Sequence, residues 1–260
     1  MSRFYRTTLV APAFWAAVAV AAVVAVELCV WLQRSPDGRP PDWAPAARFV
    51  AAVGTLCPHV AVLGAKRPQN RAWQWIVGSL WLVASLPALR ALLFQGGRAV
   101  EVHVTQSSFL IILVAVCALN WLPTRYWLSS LLVAAGQILL LAPHLSLVDQ
   151  NQTDRSILAA VGLFALAAVL VAAGIGARRQ TDHPLDALWI NFRDQFGVLW
   201  AWRVLARLNA TAAQCQWPVR LTWNGFTPPP KQLSAEVERS VLRSMRSMLR
   251  RFVDSESLAD

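Results

Sequence analysis

In a chain this apolar, chemistry falls to the few ionisable side chains inside hydrophobic segments, and three stand out: Glu27, Arg90 and His144. Each lies near the same end of its segment, so the three share a depth. Charged groups there are costly enough to mark a site. A carboxylate, a guanidinium and an imidazole at one level can pair or act on a lipid headgroup. The expectation is that Glu27 and Arg90 interact with His144 nearby. The plainer alternative has Arg90 snorkelling to the headgroups while the other two reach water. His59 and Asn120 fall towards the opposite end and Gln137 near the middle, where each suits an interhelical hydrogen bond. His59 and His144 lie at different depths and do not make a bis-histidine haem site. His103 reaching His144 from a loop is a weak alternative pair.

No other chemistry is written in a recognisable form. Cys29, Cys57, Cys117 and Cys215 form no CxxC pair, and three of them sit in apolar segments, where cysteine acts as a small hydrophobe. There is no phosphate-binding loop, dinucleotide fingerprint, HExxH or GxSxG. The sequence therefore assigns no catalytic, cofactor-binding or metal-ligating residue.

The elements that position these residues are apolar. The chain is 56% hydrophobic and 15% charged, against about a quarter charged in soluble domains. Six apolar segments stand out, at residues 9–32, 49–65, 72–94, 104–122, 126–148 and 156–177. A bilayer core needs roughly 20 apolar helical residues. The second segment is the weakest, being short and holding Pro58 and His59. The first follows Arg3 and Arg6 as a signal peptide would, but outruns a signal core and reads as an uncleaved span. The fold expected is an all-α membrane protein with about six transmembrane helices over residues 1–177 and a mainly helical cytoplasmic tail over 178–260. In the last span, Ala168, Ala172 and Gly176 have the spacing of a close helix contact, or are simply the small residues common in such helices.

Charge sets the orientation. With the N-terminus inside, the inner loops hold Arg3, Arg6, Lys66, Arg67, Arg71 and Arg125 and no acid. The outer positions hold Arg34, Arg39, Arg48, Arg90, Arg98 and Arg155, with Glu27, Asp37, Asp42, Glu101, Asp149 and Asp154. The basic counts tie, but the inner ones crowd very short loops, and Arg178 and Arg179 follow the last span. Trp73, Trp75, Trp121 and Trp127 flank the inner loops as an interfacial belt would. The reading is a bacterial cytoplasmic membrane protein with both termini in the cytoplasm. The net charge of +10 is explained by this bias and by anionic lipid, which makes nucleic acid an unlikely partner.

The tail carries 12 basic and 8 acidic residues. After His183-Pro184, a helix start, Leu185, Leu188, Trp189, Phe192, Phe196, Leu199 and Trp200 share one face. The pattern then drifts, which implies a kink near Gly197. Trp217, Val219, Leu221 and Trp223 alternate with polar residues as in a short strand, with no second strand evident. Pro228, Pro229 and Pro230 suit a stiff spacer. Ser234 caps a last helix with Leu233, Val237, Val241, Met245, Met248 and Phe252 on one face. Arg239, Arg243, Arg246 and Arg250 form a candidate docking stripe on another. That stripe fits an anionic leaflet, a protein partner or a solvated face.

Through Phe192-Arg193-Asp194-Gln195-Phe196-Gly197 and Trp217-Pro218-Val219-Arg220-Leu221 the tail resembles the tails of uncharacterised bacterial polytopic membrane proteins. The resemblance covers less than a fifth of the chain and implies no activity. The leading expectation is a non-enzymatic scaffold or accessory subunit docking a partner or the inner leaflet through its tail. A small transporter or permease-type subunit comes second, and a membrane enzyme acting on lipid or haem near the outer face third. No cofactor is implied, and the oligomeric state is open.

Overall fold

The computed structural model describes residues 7–66, 70–94, 96, 100, 102–145, 147, 152–175 and 183–253. Arg3, Arg6, Arg67, Arg98, Glu101, Asp149, Gly176, Arg178 and Arg179, weighed above, lie outside the described residues.

Long runs of Ala, Val and Leu without charge make the first helix, α1 (Val10–Leu32). The next segment starts at Ala44, five residues before the expected boundary, because Pro45 opens a helix as readily as it ends one. It is broken into α2 (Ala44–Gly54) and α3 (Cys57–Leu63), just ahead of Pro58. A second break separates α4 (Asn70–Ala84) from α5 (Leu86–Phe94), where Pro87 follows and the axis bends by 47°. Then come α6 (Val104–Leu119), α7 (Trp127–Leu141) with a 3-10 turn over Ala142–His144, and α8 (Thr153–Ala172).

Four of these helical runs are long and apolar enough to cross a membrane: Val10–Leu32, Ala44–Leu63, Trp127–His144 and Thr153–Ala172. The bent α4–α5 pair makes a fifth if it is one span, and α6 is apolar but 16 residues long. This is a mostly helical membrane protein. The weakest-looking apolar segment turns out to be central: in an 18-residue apolar stretch of the Ala44–Leu63 run 67% of residues are buried, against 11% in the corresponding stretch of α1. Its alanines let neighbours approach, and its polar residues face protein instead of lipid.

Side chains repair both broken helices. The buried Gln137 of α7 donates through Nε2 to Thr55 O at 2.9 Å, and Gln106 of α6 donates to Ala84 O at 3.3 Å. In an apolar bundle a carbonyl without a donor is expensive, so a break needs such a partner. Tryptophan N–H groups add to this, from Trp81 to Val50 O and from Trp73 to Val60 O. The belt expectation therefore divides. Trp75 and Trp127 are exposed, while Trp73 is engaged inside the protein and Trp121 packs on a buried cluster.

The C-terminal unit begins with α9 (Pro184–Gln214), capped by the His183 ring. Its break falls at Gly197, whose φ of +76° leaves the helical region. The strand expected alone has a partner. β1 (Arg220–Thr222) pairs antiparallel with β2 (Gly225–Thr227), and Leu221 faces Phe226. The second strand has three residues and no alternation to detect. The Asn224-Gly225 dipeptide was the available signal, since such pairs favour tight hairpin turns. Asn209 clamps the hairpin to α9, accepting from Leu221 N at 2.7 Å and donating to Leu221 O at 2.9 Å. Asp186 adds an acceptor for Phe226 N at 2.9 Å. The last helix, α10 (Ala235–Leu249), starts where Ser234 Oγ accepts from Val237 N.

Candidate functional site

The two ends of the helical bundle are built on different chemistry. At one end, Glu27 of α1 finds its partner in Arg48 of α2 instead of Arg90. Arg48 Nε and Nη2 donate to the two Glu27 carboxylate oxygens at 2.9 and 2.8 Å. The same Nη2 reaches Asp154 of α8 at 2.9 Å, and Arg34, just past α1, reaches the other Asp154 oxygen at 2.8 Å. Arg48 is buried at the hub, with its side chain 7% exposed, whereas the carboxylates retain 30% and 46%. The network ties three helices together at a point where two acids balance two arginines.

Of the other members of the expected trio, His144 lies beside the network and Arg90 lies outside it. His144 closes the turn after α7 and packs edge-on against Phe49 at 5.2 Å, while Arg90 is exposed on α5. Sequence depth put Glu27 at the right level and chose the wrong cation. Arg48 falls among the outer basic positions, one residue ahead of the expected segment at 49–65, and it becomes interior because the helix begins earlier, at Ala44. The cleft beside Glu27 and Arg48, bordered by Val23, Ala52 and Ile157, encloses about 10 Å³, room for a single water.

At the opposite end the C-terminal unit closes on the bundle. Leu9, Val62 and Ala65 share one buried cluster with Leu185, Trp189, Phe192, Phe196, Trp200, Met245 and Phe252. Phe252 meets Phe192, Phe196 and Trp200 at 5.1, 5.2 and 5.1 Å. Trp200 Nε1 donates to Val62 O at 3.0 Å. Thr8 N donates to Phe252 O at 3.0 Å, Thr8 Oγ1 donates to Ala65 O at 2.6 Å, and Thr7 bridges to Val253.

The Phe192–Gly197 stretch acts as a latch. Phe192 and Phe196 fill the aromatic cluster. Arg193 donates to Trp223 O at 2.8 Å and to Asp194 Oδ1 at 2.9 Å. The buried Asp194 also lies 3.8 Å from Arg125 of the loop between α6 and α7. At Gly197 the chain opens, so that Val198 N and Leu199 N donate to O and Oδ1 of Asn120 at 2.9 and 3.1 Å. A Cβ at Gly197 would stand 2.3 Å from Asn120 Nδ2. Nearby, Trp223 Nε1 donates to Pro123 O at 3.0 Å. Arg125 reads as an inner-loop residue and Asn120 as suited to an interhelical hydrogen bond, which it makes with α9. A glycine at a drift in helical phase was the clue that the helix halves meet something there.

The terminal stripe is set by the same packing. Val241, Met245, Leu249 and Phe252 are buried, with Val237 and Met248 partly so, and their face is spent on the protein's own core. Arg239, Arg243 and Arg250 stay exposed, while Arg246 is half-buried with an Nε that has no hydrogen-bond partner among the described residues. Glu238, on the same helix, faces His183 at 3.3 Å.

No family model, curated protein or solved structure matches this chain. Among the described residues no group of three or more His, Cys, Asp or Glu side chains is arranged to hold a metal ion.

Proposed function

We propose that this protein is a non-enzymatic scaffold or accessory subunit of the bacterial cytoplasmic membrane, which uses its C-terminal unit to dock an acidic partner. The observation that carries the reading is the division of labour on α10. Its apolar side is consumed by α9 and the bundle, and its arginine side is exposed at Arg239, Arg243 and Arg250, with Arg239 Nε donating back to Ala235 O of the same helix at 3.0 Å. A helix with no spare apolar face cannot anchor by insertion. Three exposed guanidiniums on one stripe offer paired donors to carboxylates instead. The latch at Asn120 and Arg125 gives this stripe a fixed bearing on the membrane.

The topology that goes with this reading has six spans and both termini in the cytoplasm. It is supported by the gathering of Thr8, Ala65, Asn120 and the C-terminal unit at one end of the bundle, as alternate crossings require. Reporter fusions after residues 32, 65, 94, 122, 148 and 177 test it; an outward report at 177 contradicts it. For the function, the whole protein is recovered from native membranes with and without Arg239, Arg243, Arg246 and Arg250 changed to glutamine. Expected is an acidic co-purifying protein that disappears with the variant and with added salt. Recovery that ignores the four arginines refutes the docking role.

A permease-type reading has one observation in its favour, the adjacent broken helices α2–α3 and α4–α5, since discontinuous helices form many transport sites. Thiol labelling of Cys57, the buried first residue of α3 directly after the first break, separates the readings. Rapid reaction with a hydrophilic maleimide in the folded protein favours transport, and protection favours the scaffold.

A further inference from the structure

We infer that the second half of α9, from Val198 to Gln214, is an in-plane membrane-surface helix that rests on the lipid leaflet beside the bundle. The inference concerns a different surface from the arginine stripe of α10 and stands without it. On the far side of α9 from its core, Leu199, Trp202, Ala206, Ala210 and Ala213 recur at three- and four-residue intervals, and all are exposed. Trp202 is 63% exposed and Leu199 38%, an unusual placement for a large indole in a packed unit. Arg203 and Arg207 border this stripe, both exposed, and no acidic residue occurs between Val198 and Gln214. An apolar stripe with Trp, edged by arginines, is the composition of a helix lying at the headgroup boundary.

The stripe also begins at the right place. Asn120 caps α6, whose last turns carry the exposed apolar side chains Val116 and Leu119. Asn120 then holds Leu199 N directly. The exposed apolar surface of α6 therefore passes to Leu199 and Trp202 with one residue between. Arg203 is kept at this level by stacking 4.9 Å over Trp200, whose indole is bonded to the end of α3. The occupant fitted by this continuity and charge is the leaflet itself, with anionic headgroups opposite Arg203 and Arg207.

The test uses the full-length protein in lipid nanodiscs, with Cys29 and Cys215 replaced by alanine. Spin labels are placed singly at Ala206→Cys, Ala210→Cys and, as a reference on α10, the exposed Ser247→Cys. In discs containing anionic lipid, labels at 206 and 210 should be about threefold more accessible to oxygen relative to a water-soluble nickel relaxant than the label at 247, as expected for shallow burial at the headgroup boundary. Arg203→Gln with Arg207→Gln should lower that ratio in anionic discs and leave it unchanged in neutral ones. Nickel accessibility at 206 and 210 equal to that at 247 overturns the inference. So does dipolar broadening between labels on separate molecules, which would mean that a second copy covers the stripe.

Discussion

The two ends of the bundle hold it together by opposite means. At the Glu27 end, four charged side chains converge on a small area, and each pairing is a matter of one or two atoms. At the Asn120 end, a broad aromatic cluster closes over the helix ends, and the polar contacts are made largely by backbone groups. Burial of apolar area is non-directional and degrades gradually. Ion pairs and glycine-dependent backbone contacts fail at single residues. A single substitution therefore does most harm at the backbone opening that lets the aromatic surface seat, then at the buried charge, and least at the exposed charges.

Gly197→Val is expected to have the largest effect. Its backbone lies at φ +76°, where a β-branched side chain is strained, and the new side chain would meet both the side chain and the carbonyl of Asn120. Strain of this kind costs about 1–3 kcal/mol, and overpacking a fixed contact adds a similar amount. Release of the C-terminal unit should appear as new tryptic cleavage within α9, at Arg193, Arg203 or Arg207, while the bundle stays folded. Unchanged protease resistance would show that the aromatic cluster alone holds the unit.

That contrast also explains what the sequence made legible. Periodicity is a property of apolar faces, so the faces of α9 and α10, the break near Gly197 and the Ser234 cap could all be read from spacing. The burial of Val241, Met245 and Phe252 follows the expected face. Which ionic side chains pair is not a periodic property. Glu27 pairs with Arg48 instead of Arg90 because α2 starts at Ala44, where Pro45 opens the first turn ahead of the apolar run, and apolar patterning does not register that start. The hairpin partner at Gly225 was missed because its three residues, held by pairing with β1 and by Asp186, show no alternation, and the Asn224-Gly225 turn was the local signal passed over. The role of Gln137 was half visible, as a polar residue suited to an interhelical hydrogen bond, without the break that supplies its partner, and Gln106 was not singled out.

Arg48→Ala leaves Glu27 and Asp154 facing each other without their shared cation. Losing one partner of a fully buried pair costs about 3–5 kcal/mol. The carboxylates here keep contact with solvent, so about 2–3 kcal/mol is expected in the unfolding free energy measured in detergent. A double-mutant cycle sharpens this: Glu27→Gln should couple to Arg48→Ala by about 1–2 kcal/mol and to Arg90→Ala by less than about 0.5 kcal/mol. The reverse pattern would restore the Glu27–Arg90 pairing.

At the other end a matched polar contact should give a comparable or slightly smaller loss. Asn209→Ala removes both partners of Leu221, whose N–H and carbonyl are held by that one amide. An orphaned buried backbone group costs about 1–3 kcal/mol, and part of this is recovered if water enters. Amide exchange at Leu221 is the direct readout, and it should accelerate while exchange in α10 changes little. Unchanged exchange at Leu221 would mean that pairing with Phe226 holds the strand unaided.

The smallest effect separates geometry from energy. Arg34 and Arg48 each donate to a different oxygen of Asp154, at 2.8 and 2.9 Å. Judged by distance the two bonds are equal. Their surroundings differ, because the Arg34 side chain is 34% exposed and that of Arg48 is 7% exposed. Water competes for the Arg34 guanidinium, holding its long side chain in place costs entropy, and mobile ions screen the pair. Exposed ion pairs are therefore worth about 0–1 kcal/mol. Arg34→Ala should lower stability by no more than that, and the difference from the parent protein should vanish near 1 M salt, where the screening length falls to about 3 Å. The loss from Arg48→Ala should persist in the same salt, because its interactions run through protein. Equal losses for the two arginines, with equal salt dependence, would mean that the Glu27 end is solvated throughout and that the contrast between the two ends is one of residue type alone.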